Sequence, residues 1–295
     1  MKVSCPRILI MGISGMLGSS LYSFLDAQCA YEVYGTARRE FNNSTSKYFP
    51  TNKHKIINFD IDDIKDLDDI FDAIKPNIVI NCIGMVKQIE TSDGGISQIK
   101  LNALFPHKLY RVCQRSYARL IHFSTDCVFS GARGMYTESD LPDARDMYGL
   151  SKLLGEVVGE NCITLRTSII GHELCTAHSL IDWFLSQSGE VMGYENAIFS
   201  GLPTVEVARI LKEYIIPNDS LNGLYHLSAN PISKFDLLTL VALEYGKELD
   251  IKPMSTPQID RSLDSTLFRS KTGFEPKSWA VMIKLMHERY EKTKK

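Results

Sequence analysis

Tyr148 and Lys152 stand four residues apart in the run Tyr148-Gly-Leu-Ser-Lys152, a spacing that puts both side chains on one face of a helix. The pairing has a chemical use. A free tyrosine, with a pKa of about 10, exchanges protons poorly at neutral pH, whereas a neighbouring ammonium stabilises the phenolate and draws that value toward the working range. Upstream, Ser124-Thr125-Asp126 closes a β-branched run, which places a hydroxyl at a strand's carboxyl end where it can polarise a carbonyl beside Tyr148. A Tyr/Lys pair alone is common on helices without chemistry. Its position after the fifth strand of an alternating β/α pattern is what singles it out.

A second constellation opens the chain. In Ile8-Leu-Ile-Met-Gly12-Ile-Ser-Gly15-Met-Leu-Gly18, three glycines lie as GxxGxxG between an apolar strand and a helix expected over Met16–Gln28. The first glycine permits a tight turn, the second a close approach of backbone to a pyrophosphate, and the third close packing of helix on strand. The helix N-terminus then faces the anion, so Gly12, Ser14, Gly15, Met16, Leu17 and Gly18 are expected against a dinucleotide. The second strand runs out into Arg38-Arg39, and guanidiniums there suit a ribose 2′-phosphate better than a free hydroxyl, while Glu40 comes late for the latter. NADPH is the expected cofactor, with NADH as the alternative. Asp60-Ile61, ending the third strand, is placed to meet the adenine edge, and Asn81-Cys82-Ile83-Gly84, ending the fourth, is small enough to lie along the dinucleotide.

These residues need a scaffold, and the pattern supplies one. Apolar runs at Arg7–Met11, Glu32–Ala37, Lys55–Phe59, Ile78–Ile83, Leu120–Phe123 and Ile163–Thr167 alternate with helix-length amphipathic segments. Continuously apolar strands with helical crossovers mean a parallel sheet covered on both faces. Beyond Ser168 helices dominate, at 177–188, 204–216, 233–246 and 277–292, with a strand at 224–227; Ser233 and Asp236 form a helix-start cap. The expected fold class is α/β: a Rossmann-type doubly wound parallel sheet over residues 1–168 that binds NAD(P), and a smaller, mainly helical substrate lobe over 169–295 that crosses back to the sheet near 191–208.

Composition narrows the partners. The 295 residues are 44% hydrophobic and 23% charged, with a net charge of −2 that lacks the basic footprint of a nucleic-acid binder. No apolar run reaches the length of a membrane span, and the apolar stretch before Gly12 is too short for a signal peptide. Seven cysteines, an odd number without a CxxC pair, suggest neither disulfide framework nor zinc site and read as mostly buried thiols in a reducing, cytoplasmic setting. No clustered acidic set points to a metal.

In order and spacing, GxxGxxG, Asn81-Cys-Ile-Gly84, Ser124-Thr-Asp-Cys-Val-Phe-Ser-Gly131, Tyr148-Gly-Leu-Ser-Lys152 and Arg166-Thr-Ser168 resemble the extended short-chain dehydrogenase/reductases, and within them the dTDP-4-dehydrorhamnose reductase branch. The resemblance runs over essentially the whole chain, including Thr204–Ala208 and Tyr225-His-Leu-Ser228. It implies a triad in which Thr125 orients a carbonyl, Tyr148 donates the proton, and Lys152 holds the nicotinamide ribose while lowering the tyrosine pKa. It also implies that Asn102 orders the site, that Ser124, Arg166 and Ser168 lie along the cofactor, and that a homodimer is one expected assembly.

The same scaffold hosts reductases, epimerases and dehydratases, so the fold does not choose the reaction. A dehydratase of this type carries Asp-Glu after the Ser/Thr, whereas Asp126 is followed by Cys127. An epimerase keeps its NAD and favours an acidic ribose partner, whereas Arg38 and Arg39 suit exchangeable NADPH. Reduction of a nucleotide-linked 4-keto-6-deoxy sugar is the consistent reading. An NAD-retaining epimerase, and a non-catalytic subunit like the β-subunit of methionine adenosyltransferase, are the alternatives. Cys127, Ile169 and the segment Gly171–Ser179 depart from the branch's usual pattern, which leaves room for a different sugar or nucleotide. Met85, Val86, Lys87, Thr125, Asp126, Cys127, His178 and Trp183 are the expected substrate-side residues, with helix packing as the other explanation for His178 and Trp183.

Overall fold

The computed structural model describes residues 5–38, 49, 55–61, 64–85, 93–174 and 176–294. Arg39, Val86, Lys87 and Cys175 lie outside the described residues.

Strands β1 (Arg7–Met11), β2 (Glu32–Ala37), β3 (Ile56–Asn58), β4 (Ile78–Asn81), β5 (Arg119–Thr125) and β6 (Cys162–Thr167) join Gly223–His226 in one seven-stranded sheet. Its order is Gly223–His226, β6, β5, β4, β1, β2, β3, and every pairing is parallel. The strand order reverses between β1 and β4, the point where a doubly wound sheet opens a crevice at its carboxyl edge. Alternation along β1 shows why the sheet must be covered twice. Ile8 and Ile10 belong to the core on one face, Leu9 and Met11 to that on the other, and all four are fully buried. Each contributes roughly 1.5–3 kcal/mol by burial.

Helices α1 (Met16–Asp26), α2 (Ile64–Ile74), α3 (Phe105–Arg115) and α4 (Met147–Leu154) provide the crossovers. A π-helical turn, Ile99–Leu104, precedes α3 where an ordinary helix is expected. In the C-terminal part, α5 (Leu180–Ser186), α6 (Thr204–Ile210), α7 (Lys234–Tyr245), α8 (Thr266–Thr272) and α9 (Trp279–Lys294) are interleaved with short strands. Ser233 caps α7 by accepting from the Asp236 N–H at 2.9 Å, as its sequence signature predicts.

This lobe carries more strand than expected. Glu190–Tyr194 pairs with Asp250–Met254, Leu202–Pro203 with Ile169–Ile170, and Ala197–Phe199 is flanked by Ile232–Ser233 and Ile259–Asp260. These strands are two to five residues long, too short to show an alternating pattern. The return to the main sheet is made by Gly223–His226, while α6 packs on α1. The thiols also differ from expectation. Cys113 and Cys162 are buried, but Cys5 and Cys29 are exposed because they lie at the chain's edge and past the end of α1. No helix among the described residues is long and apolar enough to cross a membrane.

Candidate active site

The glycine turn has one glycine whose presence the protein itself does not explain. Gly12 adopts φ +85°, and a Cβ on Gly18 would lie 2.2 Å from the Gly12 carbonyl oxygen, so both are required by the turn and by the packing of α1. A Cβ on Gly15 would meet only that same oxygen at an ordinary 3.7 Å. Gly15 is also the N-cap of α1, with no side-chain cap and no acidic residue in the first turn, so the first N–H groups of the helix remain available to an anion. Space above Gly15 and free donors below it fit a dinucleotide pyrophosphate. Met16 and Leu17 begin α1, and Ser14 is partly exposed beside them.

Around this turn, Arg38 is exposed just past β2, Asp60 is exposed and Ile61 half-buried. Asn81 is buried: its Oδ1 accepts from the Ile83 N–H at 3.1 Å, and its Nδ2 lies 3.1 Å from His122 Nδ1. Burial, with Lys152 and His107 adding to it, holds His122 far below the usual histidine range, so the ring is neutral. Cys82 and Ile83 are partly buried and Gly84 is exposed at the carboxyl end of β4. Asn102, in the π-helical turn, is fully buried. Its Oδ1 accepts from the Met85 N–H at 2.8 Å, and its Nδ2 donates to Met85 O at 3.1 Å and Ser151 Oγ at 3.2 Å. One side chain thus ties the end of β4 to α4, and a π-turn at such a position is a common mark of a functional site.

Helix α4 is started by Asp146, whose carboxylate accepts from the Gly149 N–H at 2.9 Å. Lys152 is buried, and its Nζ donates to Phe123 O at 2.6 Å. Burial holds this lysine down at about 8, with Glu156 and Cys82 opposing. Tyr148 is partly buried, and burial raises its hydroxyl well above the usual range, with the Thr125 side chain opposing that rise. Cys127, Asp126 and Asp146 add to the rise. The Lys152 ammonium is turned to the Phe123 carbonyl. Thr125 is buried, accepts from the Cys127 N–H at 3.2 Å and donates to Asp126 Oδ1 at 3.2 Å. Asp126 is raised by burial, with Arg261 the largest opposing influence.

Arg166 lies in β6 and is buried. Both arms of its guanidinium hold Glu156, Nε to Oε1 and Nη2 to Oε2 at 2.8 Å each, and its plane lies 5.2 Å from the Phe129 ring. Ser124 donates to the same carboxylate at 2.7 Å and faces Arg166 in the β5–β6 register. Ser124 and Arg166 thus share the buried Glu156 carboxylate, which joins β5 to β6. Ser168 is partly buried, with its carbonyl accepting from the Leu202 N–H at 2.9 Å.

His178 and Trp183 are exposed, and their hydrogen bonds are local: the His178 N–H donates to Glu173 Oε2 and the Trp183 carbonyl accepts from Ser186 and Gln187. The segment bearing His178 is fastened instead by His172, whose Nδ1 lies 2.5 Å from Asp182 Oδ1 and whose Nε2 lies 2.8 Å from the Tyr245 hydroxyl. Tyr290 stacks on the same ring at 3.7 Å.

Two cations reach the Thr125–Phe129 turn from the three-stranded sheet of the C-terminal lobe, and sequence reasoning missed both. Arg261 Nε donates to Phe129 O at 2.9 Å, and Lys234 Nζ stands 4.1 Å over the Phe199 ring while Asp126 and Cys127 act on its charge. Beside them opens a hollow of about 350 Å³ lined by Cys127, Ser130, Arg145, Asp146 and Arg261.

The sequence matches the family described as "RmlD substrate binding domain" over residues 6–292. The chain belongs to that family. It is 24% identical over 303 residues to a dTDP-4-dehydrorhamnose reductase of Aggregatibacter actinomycetemcomitans, covering 94% of this chain and 97% of that one. It is also 24% identical over 266 residues to methionine adenosyltransferase 2 subunit beta of Rattus norvegicus, covering 82% and 73%. Among solved structures, dTDP-4-dehydrorhamnose reductase of Bacillus anthracis in complex with NADP superposes with a TM-score of 0.80 at 20% identity, over 96% of this chain and 99% of that one. The Bordetella bronchiseptica enzyme WbmG, in complex with NAD and UDP, superposes with a TM-score of 0.78 at 19% identity, over 98% and 96%. RmlD-family members share the doubly wound sheet seen here.

Proposed function

We propose that the chain is an oxidoreductase that uses NADPH to reduce the ketone of a nucleotide-linked 4-keto-6-deoxy sugar. The observation that carries the reading is the convergence of Thr125, at the end of β5, with Tyr148 and buried Lys152 on α4, at the carboxyl ends of the strands that also end in the glycine turn. Family membership and relatives such as a dTDP-4-keto-6-deoxy-D-glucose reductase of Streptomyces niveus support it.

In this reading residues 1–168 hold the cofactor and residues 169–295 supply the sugar's side of the cleft. The helix N-terminus at Gly15 takes the pyrophosphate, and Arg38 with Arg39 takes the 2′-phosphate. The cofactor, when bound, supplies the hydride. The protein supplies placement and charge. Thr125 orients the carbonyl, Tyr148 gives its proton to the oxygen that becomes a hydroxyl, and Lys152 directs the N–H donors left over from Phe123 O to the ribose hydroxyls and to Tyr148. Asn102 and Met85 fix the edge along which the nicotinamide lies.

The test is loss of reduced-nicotinamide absorbance with a panel of nucleotide-linked 4-keto sugars, run with NADPH and with NADH. Turnover with at least one ketone and a lower KM for NADPH are expected, and Arg38→Ala should raise the NADPH KM more than the NADH KM. No turnover with any ketone, together with tight association with another protein, contradicts the reading in favour of a binding subunit. NAD released on denaturation from a protein that consumes none contradicts it in favour of an epimerase.

A further inference from the structure

Strand Gly223–His226 runs into Tyr225-His-Leu-Ser228, in which His226 and Ser228 are buried. Both side chains bond to one joint. There Tyr136 pairs with Leu263 in an isolated parallel bridge, closed by the Tyr136 N–H donating to Ser262 O at 2.9 Å and the Asp264 N–H to Tyr136 O at 2.8 Å. Ser228 Oγ donates to Leu263 O at 2.8 Å, and His226 Nδ1 lies 2.9 Å from Tyr136 O. A carbonyl only accepts, so Nδ1 carries the ring's proton and Nε2 is left as an acceptor, 3.4 Å from the Arg166 Nη1 donor. Burial, with Arg166 adding to it, holds His226 down at about 4, which keeps the ring neutral with one proton to place.

His226 differs from Ser228 in what it meets next. Its ring stands edge-on to the Phe129 ring, with centroids 5.8 Å apart at 75°, while Tyr136 stacks on Phe129 at 4.2 Å and the Arg166 guanidinium lies 5.2 Å from it. Phe129 is fully buried and closes the single 3₁₀ turn, Asp126–Val128, that Thr125 opens. Two bonds stiffen that turn: the Cys127 N–H donates to Thr125 Oγ1 at 3.2 Å, and the Phe129 N–H to Asp126 O at 3.0 Å. Through them, movement at the Phe129 end reaches the Thr125 hydroxyl. We propose that His226 is a positioning residue for Thr125: set against Phe129 and tied to Tyr136 O, it fixes the far end of the turn and so the place of the hydroxyl that orients the carbonyl. The inference rests on the reading above that a ketone lies against Thr125 and Tyr148. Loss of His226 then acts on kcat and spares NADPH affinity, because the glycine turn is held from another strand, by Thr36 O accepting from the Gly12 N–H at 3.2 Å and the Ile13 N–H at 2.9 Å.

The experiment compares wild type with His226→Leu, His226→Asn and Ser228→Ala. Amide hydrogen exchange by NMR, without ligand, follows the Cys127 and Phe129 N–H groups, and kcat with a nucleotide-linked 4-keto sugar, NADPH Kd and Tm are measured on the same proteins. His226→Leu removes both the ring and its bond, and should speed exchange at the two amides about tenfold and lower kcat about 10- to 10²-fold, with NADPH Kd within about twofold. His226→Asn places Nδ2 where the ring's Nδ1 stood, keeps the bond to Tyr136 O, and should recover kcat to within about threefold of wild type. Ser228→Ala loosens the same joint at a bond away from Phe129, so it should lower Tm while kcat and both amides stay within about twofold of wild type. Where His226→Leu does not fold, His226→Gln, which keeps an acceptor for Arg166 and gives up the bond to Tyr136 O, carries the same expectations. Unchanged exchange in that variant overturns the inference. So does faster exchange with kcat unmoved, or a Ser228→Ala kcat that falls as far. Wild-type turnover keeps the two readings apart: a wild type that reduces no ketone contradicts the reductase reading, and exchange at the two amides then decides the inference alone.

Discussion

Tyr148 and Tyr245 each stand in a polar cluster, and burial raises both hydroxyls. Around Tyr245 the partners are satisfied. Asp182 takes His172 at 2.5 Å, the Glu173 N–H at 2.8 Å and the Ser179 hydroxyl at 3.0 Å, and is held below the usual carboxylate range. Around Tyr148 the carboxylate Asp126 is raised instead, and two lysines are held down at about 8. A raised tyrosine therefore says little by itself. What separates the clusters is that one is arranged to stabilise the charges it contains and the other keeps its charges under tension, which is where chemistry is found.

That contrast can be broken by substitution. The largest effect is expected from the ion pair beneath the reactive cluster: Arg166→Met leaves Glu156 buried without its partner and should cost about 3–5 kcal/mol in urea unfolding. A loss under 1 kcal/mol would contradict a structural role for this pair. Next, Thr125→Val should lower kcat by about 10²–10³ with little change in Tm, since it removes an oriented hydroxyl from the developing charge. Tyr245→Phe should do the reverse, losing about 1 kcal/mol of stability with kcat within about twofold, because it deletes one hydrogen bond to His172. A kcat collapse there would erase the distinction between the clusters.

The smallest effect is in pH. Lys152 binds its proton less tightly folded than unfolded, so between about 8 and the ordinary lysine value of 10.5 the unfolded chain holds more protons and stability should rise with pH. Lys152→Met should flatten that rise. The activity of the free enzyme should fall over the same range as the ammonium is lost, and Lys152→Arg should move the fall upward. An Arg variant whose fall stays put would detach the limb from Lys152.

Legibility followed the distance between partners in the chain. The glycine turn and the Tyr148/Lys152 helix were readable because each is local and has a fixed spacing. Thr125 was readable from its place at a strand end. Lys234 and Arg261 were not, since they arrive more than 100 residues later through strands two or three residues long. The Arg166–Glu156 pair was not readable because a strand-end position does not disclose which carboxylate holds the side chain, and Glu156 looks like any helix-exit charge. His172 and Asp182 belong to a segment recognised only as unusual; their closure needed α7 and α9 beside them.

The central claim is that Tyr148 protonates the oxygen of a ketone reduced at this site. Its most direct measurement is single-turnover oxidation of NADPH by a 4-keto sugar in wild type and Tyr148→Phe, with NADPH affinity and Tm measured on both. The account predicts a rate about 10³-fold lower in the variant, with NADPH affinity and Tm retained. A variant that reduces the ketone at close to the wild-type rate would contradict it.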